Sequence, residues 1–141
     1  MDLTIAQALE RGVTAHKEGK LQEAEKLYRA ILQSQPQHPD ANHNLGLIAV
    51  GVGKVEGAIP HFKAALAANA KMEQYWLSYI DALIKLNQMD TAKAVLEQAR
   101  GSGLQGEKFD NLQVQLTDGA GSSLRVELDG LIALYQQGRY Q

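Results

Sequence analysis

The sequence repeats itself with a period of 34 residues. Segments that begin at residues 11, 45 and 79 align without a gap and share columns of residue type. One column is alanine, the next is large and a third is mostly glycine: Ala24, Ala58 and Ala92, then Tyr28, Phe62 and Leu96, then Gly12, Gly46 and Ile80. A fixed period of this length indicates a stack of similar units, each too small to bury its apolar face alone.

Each period contains two blocks of apolar residues at helical spacing, separated by a short turn. Thr4 and Gln7 form a capping-box pattern before the first block, and Gly19 suits the backbone that follows a helix end. Pro60 is expected near the first turn of the fourth helix, where its missing N–H costs little. The pattern predicts helical hairpins over residues 5–38, 39–72 and 73–106, followed by two helices over 107–141 joined by a Gly/Ser turn.

The last segment has two interpretations. Gly138 and Tyr140 resemble the pair Gly19 and Leu21, which suggests a fourth repeat cut from a longer protein. Alternatively, the last two helices cap the stack, since repeat arrays need a polar outer face at their ends. The final helix is also a candidate for contact with a second copy of the chain, because a flexible hinge precedes it.

Composition excludes several kinds of partner. The chain has a net charge of −2 and no basic block, which argues against nucleic acid and anionic membranes as partners. It has no cysteine, so disulfides and thiolate metal sites are excluded. No apolar run approaches the length of a membrane span, and the first residues do not form a signal peptide. We therefore expect a cytoplasmic location.

Two motifs resemble a dinucleotide-binding site and a metal site, but each is better explained as a turn or as the start of a helix. Residues 101–106 (GSGLQG) match the dinucleotide fingerprint, but that fingerprint requires a preceding strand, and here a helix precedes it. His38, Asp40 and His43 are metal-ligand types, but Pro39 begins a helix among them and structural sites normally need four ligands. No serine has a histidine and an acid in a nucleophile setting. We expect no catalytic residue, no cofactor and no metal.

The columns resemble the tetratricopeptide repeat family over about residues 5–104. Trp76 lies where the family places its opening tryptophan, while Ile80, Asn87, Ala70 and Leu104 depart from the family pattern. The resemblance implies an all-α fold, a right-handed α-solenoid of helix hairpins that binds a partner protein. Residues 18–49 also resemble bacterial repeat regions joined to O-linked N-acetylglucosamine transferases and to some sulfotransferases, which implies a parent transferase.

The resemblance also implies a concave groove lined by the first helix of each repeat. We name eleven residues there the groove positions: Leu9, Glu10, Val13, Lys17, His43, Asn44, Leu47, Leu77, Ser78, Asp81 and Lys85. His16, Asp40, Val50 and Gln74 lie beside them. Chaperone-type members hold a peptide carboxylate with basic residues and asparagine, but matching positions here include Leu9, Val13 and Ser78. Transferase-type members use an asparagine ladder, of which Asn44 alone matches.

Three hypotheses for function follow. The first is a peptide- or protein-binding module that uses the groove and has no chemistry of its own. The second is a non-catalytic piece of a larger transferase that recruits its protein substrate. The third is a self-association module.

The alanine column gives the first testable prediction. Replacing Ala58 by leucine should overpack the crossing of two helices and lower the free energy of unfolding by about 1–3 kcal/mol. Urea denaturation of the variant and the parent protein measures this difference. An unchanged midpoint would show that Ala58 does not lie at a close helix crossing.

Overall fold

A computed structural model describes residues 3–117, which form helices and turns without a strand. The six bounded helices follow the chain in the order α1 (Ile5–Lys17), α2 (Leu21–Ser34), α3 (Pro39–Gly51), α4 (Val55–Ala68), α5 (Glu73–Lys85) and α6 (Met89–Gly101). Residues 107–117 are helical as well. The all-α prediction is confirmed, whereas the predicted final helix and its contact with a second copy lie outside the described residues.

The chain divides into two compact units, Met1–Leu86 and Asn87–Gln141. The first unit contains α1 to α5, so it holds all of the groove positions. In the second unit, Phe109 and Leu116 are buried, and Arg100 of α6 forms an ion pair of 2.6 Å with Asp110. The boundary between the units falls in the turn of the predicted third hairpin, and the repeat boundaries stay predictions.

The helix ends follow the local sequence signals. Thr4 caps α1 because its hydroxyl accepts the Gln7 N–H at 3.0 Å, while the Gln7 side chain accepts the Thr4 N–H at 3.0 Å. Gly19 has a φ of 80° after α1, where a side chain would be strained. Asn87 takes the same column in the third period with a φ of 63°. Asparagine is tolerated there because its short polar side chain enters the left-handed region more readily than others.

Pro60 is the one helix signal that differs from expectation. It is the sixth residue of α4 and thus lies beyond the first turn. Its ring nitrogen cannot donate to the carbonyl of Glu56, so one hydrogen bond of the helix is missing. Both residues are exposed, and water can therefore satisfy that carbonyl. The helix continues to Ala68 because its other face is held by the buried residues Ala58, Phe62 and Ala65.

The glycine column receives the aromatic column of the same hairpin. A Cβ atom on Gly12 would lie 2.5 Å from Cε1 of Tyr28, and one on Gly46 would lie 2.7 Å from Cδ1 of Phe62. Real Cβ atoms do not approach a ring this closely, so only glycine leaves room for it. Tyr28 and Phe62 are both 0% exposed. The large residues of the first two hairpins thus fill the space against their own first helix.

The alanine column is buried as predicted. Ala24, Ala58 and Ala92 are all 0% exposed. In the first hairpin the buried core also contains Ile31, with Leu9 and Leu21 packed against it from partly exposed positions. Small residues in one column and rings in the other give each hairpin a dense interior, so a change of even one methyl group should affect its stability.

The contact between glycine and ring gives a second prediction. Gly46→Ala should lower the free energy of unfolding by about 1–3 kcal/mol, because the new methyl group meets the Phe62 ring. Gly57→Ala is the matched control: nothing lies within 4 Å of a Cβ there, so only the gain in helix propensity remains. Urea denaturation measures both variants.

A double-mutant cycle tests whether the ring is the cause. Gly46→Ala combined with Phe62→Leu should cost less than the sum of the two single changes, because the smaller side chain leaves space for the methyl group. Additive effects, or equal destabilisation by Gly46→Ala and Gly57→Ala, would contradict this account of the column.

Candidate functional site: the groove positions and a polar joint

The groove positions differ in exposure. The aliphatic members are half-buried: Leu9, Val13, Leu47 and Leu77. Val50, beside them, is half-buried as well, and the charged members are exposed: Glu10, Lys17, Asp81 and Lys85. Asp81 and Lys85 form an ion pair of 2.9 Å within α5. His43 and Ser78, in contrast, are only 5% and 7% exposed, so they are taken up in packing between helices.

Two side-chain hydrogen bonds connect α3 to α5. Nε2 of His43 lies 2.8 Å from Oγ of Ser78, and the hydroxyl of Tyr75 donates to a carboxylate oxygen of Asp40. We call these four residues the polar joint. Since α3 and α5 are first helices of successive periods, the polar joint connects two of the three helices that carry the groove positions.

His43 occupies an aromatic setting. Its ring centroid is 4.8 Å from that of Tyr75 in α5 and 5.6 Å from that of Phe62 in α4. Burial lowers the pKa of His43 below its ordinary value, while the Asn44 side chain and the negative charge of Asp40 offset part of this effect. Burial and the bond to Asp40 raise the pKa of Tyr75. The joint is therefore built for a neutral imidazole and a neutral phenol.

Asn42 forms a second buried polar cluster within the second hairpin. It is 4% exposed, and its amide nitrogen donates to the carbonyls of Pro36 and His38, at 3.2 Å each. Its amide oxygen is 3.0 Å from Nδ1 of His61 in α4. Burial lowers the pKa of His61, and the positive charge of Arg29 adds to the effect. Asn42 thereby connects the loop before α3 to both helices of the hairpin.

Sequence reasoning missed the polar joint, although the period contains a signal for it. Both of its hydrogen bonds connect residues 35 positions apart, one period plus one residue. One period earlier the same two pairs are Leu9 with Asn44 and Ala6 with Ala41. Pairs of polar residues at this separation therefore indicate the polar joint between the second and third periods. The equivalent pairs between the first and second periods do not form such hydrogen bonds, because each contains an apolar residue.

Asn44 lies at the edge of the core. It is half-buried, and its side chain is close to the hydroxyl group of Tyr28. The hydroxyl oxygen of Tyr28 is buried and forms no hydrogen bond of normal geometry with a described residue. Burial raises the pKa of Tyr28, and Asn44 offsets part of the shift. The His16 ring packs edge-on against Tyr28 at 6.3 Å between centroids. Asn44 is thus the groove position best placed to join core and surface.

The motif residues of the second period have other partners. His38 caps α3, because its Nδ1 accepts the Ala41 N–H at 3.1 Å. Asp40 and His43 belong to the polar joint, and no group of three histidine or acidic side chains within residues 3–117 is placed to hold a metal ion. Residues 102–106 form the turn between α6 and the helical residues 107–117, without the strand that a dinucleotide fingerprint requires. None of the described helices is both long and apolar enough for a membrane span.

Comparison with known proteins supports the repeat family. Residues 49–116 match the family model for the tetratricopeptide repeat. No curated protein sequence matches the chain at a significant level. The comparisons give no support for the finer resemblance to O-linked N-acetylglucosamine transferases, and they show no catalytic activity.

Several solved structures share the fold. The first tetratricopeptide domain of Spaghetti (RPAP3), bound to the HSP90 peptide SRMEEVD, is 19% identical with a TM-score of 0.75, over 84% of this chain and 94% of that one. The Sgt2 domain from Aspergillus fumigatus is 18% identical with a TM-score of 0.73, over 86% and 82%. The Yersinia enterocolitica secretion chaperone SycD is 15% identical with a TM-score of 0.69, over 89% and 90%. At these identities the likeness establishes the fold alone.

The polar joint gives a third prediction. Ser78→Ala should lower the free energy of unfolding by about 1–3 kcal/mol, because it leaves a buried nitrogen of His43 without its partner. Ser34→Ala, at an exposed position of α2, is the matched control and should stay within about 0.5 kcal/mol of the parent protein. Equal effects of the two changes in urea denaturation would show that the His43–Ser78 bond does not stabilise the fold.

Proposed function

We propose that this chain, whose residues 49–116 match the tetratricopeptide repeat, is a protein-binding module without chemistry of its own. Its ligand is an aliphatic-rich segment of a partner protein, bound across the groove positions of α1, α3 and α5. The mode is recognition by a preformed helical surface, in which apolar contacts supply affinity and a few polar groups fix the register.

One observation carries this proposal. Three successive first helices each leave aliphatic side chains half-exposed: Leu9 and Val13, then Leu47 and Val50, then Leu77. The hairpin interiors are by contrast closed, with Tyr28, Phe62 and the alanine column fully buried. Partly exposed aliphatic residues on the first helices of three successive repeats are suited to a ligand that crosses several repeats.

The charges of the groove positions favour a ligand of low net charge. Two acids and two lysines are present, so their sum is zero, and Asp81 already pairs with Lys85 in the same helix. The RPAP3 domain binds the acidic peptide SRMEEVD. The family resemblance assigns Leu9, Val13 and Ser78 to positions that bind a peptide carboxylate in chaperone-type members, and none of the three carries a positive charge, so an acidic terminus would lack its counter-charges here.

Binding of defined peptides tests the proposal. Peptides selected from a random display library on the whole chain should be aliphatic-rich, and the synthetic peptide SRMEEVD should bind at least about tenfold more weakly than the best of them. Leu47→Gln should weaken binding about 5- to 30-fold, which corresponds to about 1–2 kcal/mol of lost apolar contact. Isothermal titration calorimetry gives both comparisons.

Val52→Gln is the matched control. Val52 is 50% exposed, directly follows α3 and lies outside the groove positions, so its replacement should leave affinity unchanged. Circular dichroism at the same temperature verifies that both variants are folded. Equal losses for Leu47→Gln and Val52→Gln, or selection of acidic peptides, would overturn the proposed site.

The two other hypotheses have direct tests. A transferase parent predicts a transferase domain encoded together with this chain, and substrate recruitment through the same groove positions. Self-association predicts a particle mass that grows with protein concentration in light scattering. A monomer over the whole range contradicts the second of these without affecting peptide binding.

A further inference from the structure

A buried histidine of α3, His43, contacts two residues of α5 in the polar joint. His43 is 5% exposed, lies between the rings of Phe62 and Tyr75, and shares a hydrogen bond of 2.8 Å with Ser78. Gln74 of α5 adds a long contact of 3.5 Å to the same serine oxygen. The Asn44 side chain also acts on the imidazole, and the rings of Phe62 and Tyr75 pack against it.

An imidazolium would be poorly accommodated at this position. Its neighbours from α4 and α5 are Phe62, Tyr75 and Ser78, which are uncharged. The charge that acts on His43 comes from its own helix, where the Asp40 carboxylate already accepts a hydrogen bond from Tyr75. Loss of hydration in the buried site outweighs the combined effect of the Asn44 side chain and this partly engaged counter-charge.

We propose that the polar joint is an acid-sensitive connection: protonation of His43 under mildly acidic conditions loosens α5 from the second hairpin. The sequence confines this response to the contact between the second and third periods. The equivalent pairs between the first and second periods are Leu9 with Asn44 and Ala6 with Ala41, which contain no titrating group. The response concerns the fold itself and does not depend on the proposed peptide binding.

The direction follows from proton linkage. Burial places the folded pKa of His43 below the value of about 6.5 found in an unfolded chain. Above about pH 7.5 the ring is neutral in both states, so its contribution to stability is complete. As the pH falls through 6.5 towards the folded pKa, the unfolded state binds the proton first and stability is lost. His61 acts in the same direction within the second hairpin, because its pKa is lowered as well.

Trp76 supplies a local reporter. It is the sole tryptophan of the chain, it lies in α5 next to Tyr75, and it is 7% exposed. Its Nε1 donates to the carbonyl of Ala70 at 2.8 Å. Loosening of α5 exposes this ring to water, so its fluorescence emission should move to longer wavelength during the transition.

The experiment compares urea unfolding at pH 7.5 and 5.5, followed by Trp76 emission, for the parent protein, His43→Gln and His16→Gln. His16 belongs to α1 and is not a member of the polar joint, so its variant is the matched control. In the parent and in His16→Gln, the unfolding constant should rise by up to about tenfold between pH 7.5 and pH 5.5 for each affected histidine. In His43→Gln, the ratio of the constants at the two pH values should be about three- to tenfold smaller.

A direct titration keeps the proposal falsifiable if His43→Gln does not fold. The imidazole proton signals of the parent protein are followed by NMR from pH 8 to pH 5 and assigned with single variants of the other histidines. A His43 midpoint below that of a denatured control supports the acid-sensitive connection. A midpoint at or above the control, or an unchanged pH ratio in a folded His43→Gln protein, overturns it.

Discussion

The contact between an aromatic ring and a glycine on the facing helix sets the spacing within the first two hairpins. Tyr28 over Gly12 and Phe62 over Gly46 fill the interior with a ring where any Cβ atom would collide. Because the ring is large and the glycine has no side chain, both helices keep a fixed separation and the neighbouring alanine column becomes buried. The rings of the second helices thereby hold α1 and α3, which carry groove positions, at a fixed distance.

The contact between α3 and α5 is chemically different from those hairpin interiors. It includes Asp40, His43, Tyr75 and Ser78, and buried polar groups are tolerated only when each has a partner. Such bonds specify one register between helices, whereas an apolar surface of similar size would permit small shifts. The wall of the proposed site between the second and third periods thus depends on a few directional bonds.

The sequence was sufficient for the all-α fold and for the burial of the alanine column. These features depend on periodicity and on local signals such as the Thr4–Gln7 box, which act over short distances. The close contact of the rings with Gly12 and Gly46 and the burial of His43 and Ser78 could not be predicted in the same way. They depend on which side chains meet across helices, and a helical pattern alone does not specify the partner. Pro60 is a case in which a local signal is overridden. A proline normally interrupts a helix, but the buried residues of α4 hold the helix together past it.

The one-residue offset of the polar joint also limits how such an array can grow by duplication. A tandem copy of the second hairpin would place His43 opposite an asparagine equivalent to Asn44, and Asp40 opposite an alanine equivalent to Ala41. The carboxylate would then lose its phenolic donor. Duplication of the second and third periods together would keep both hydrogen bonds in each copy, whereas duplication of the second period alone would lose them at the new contact.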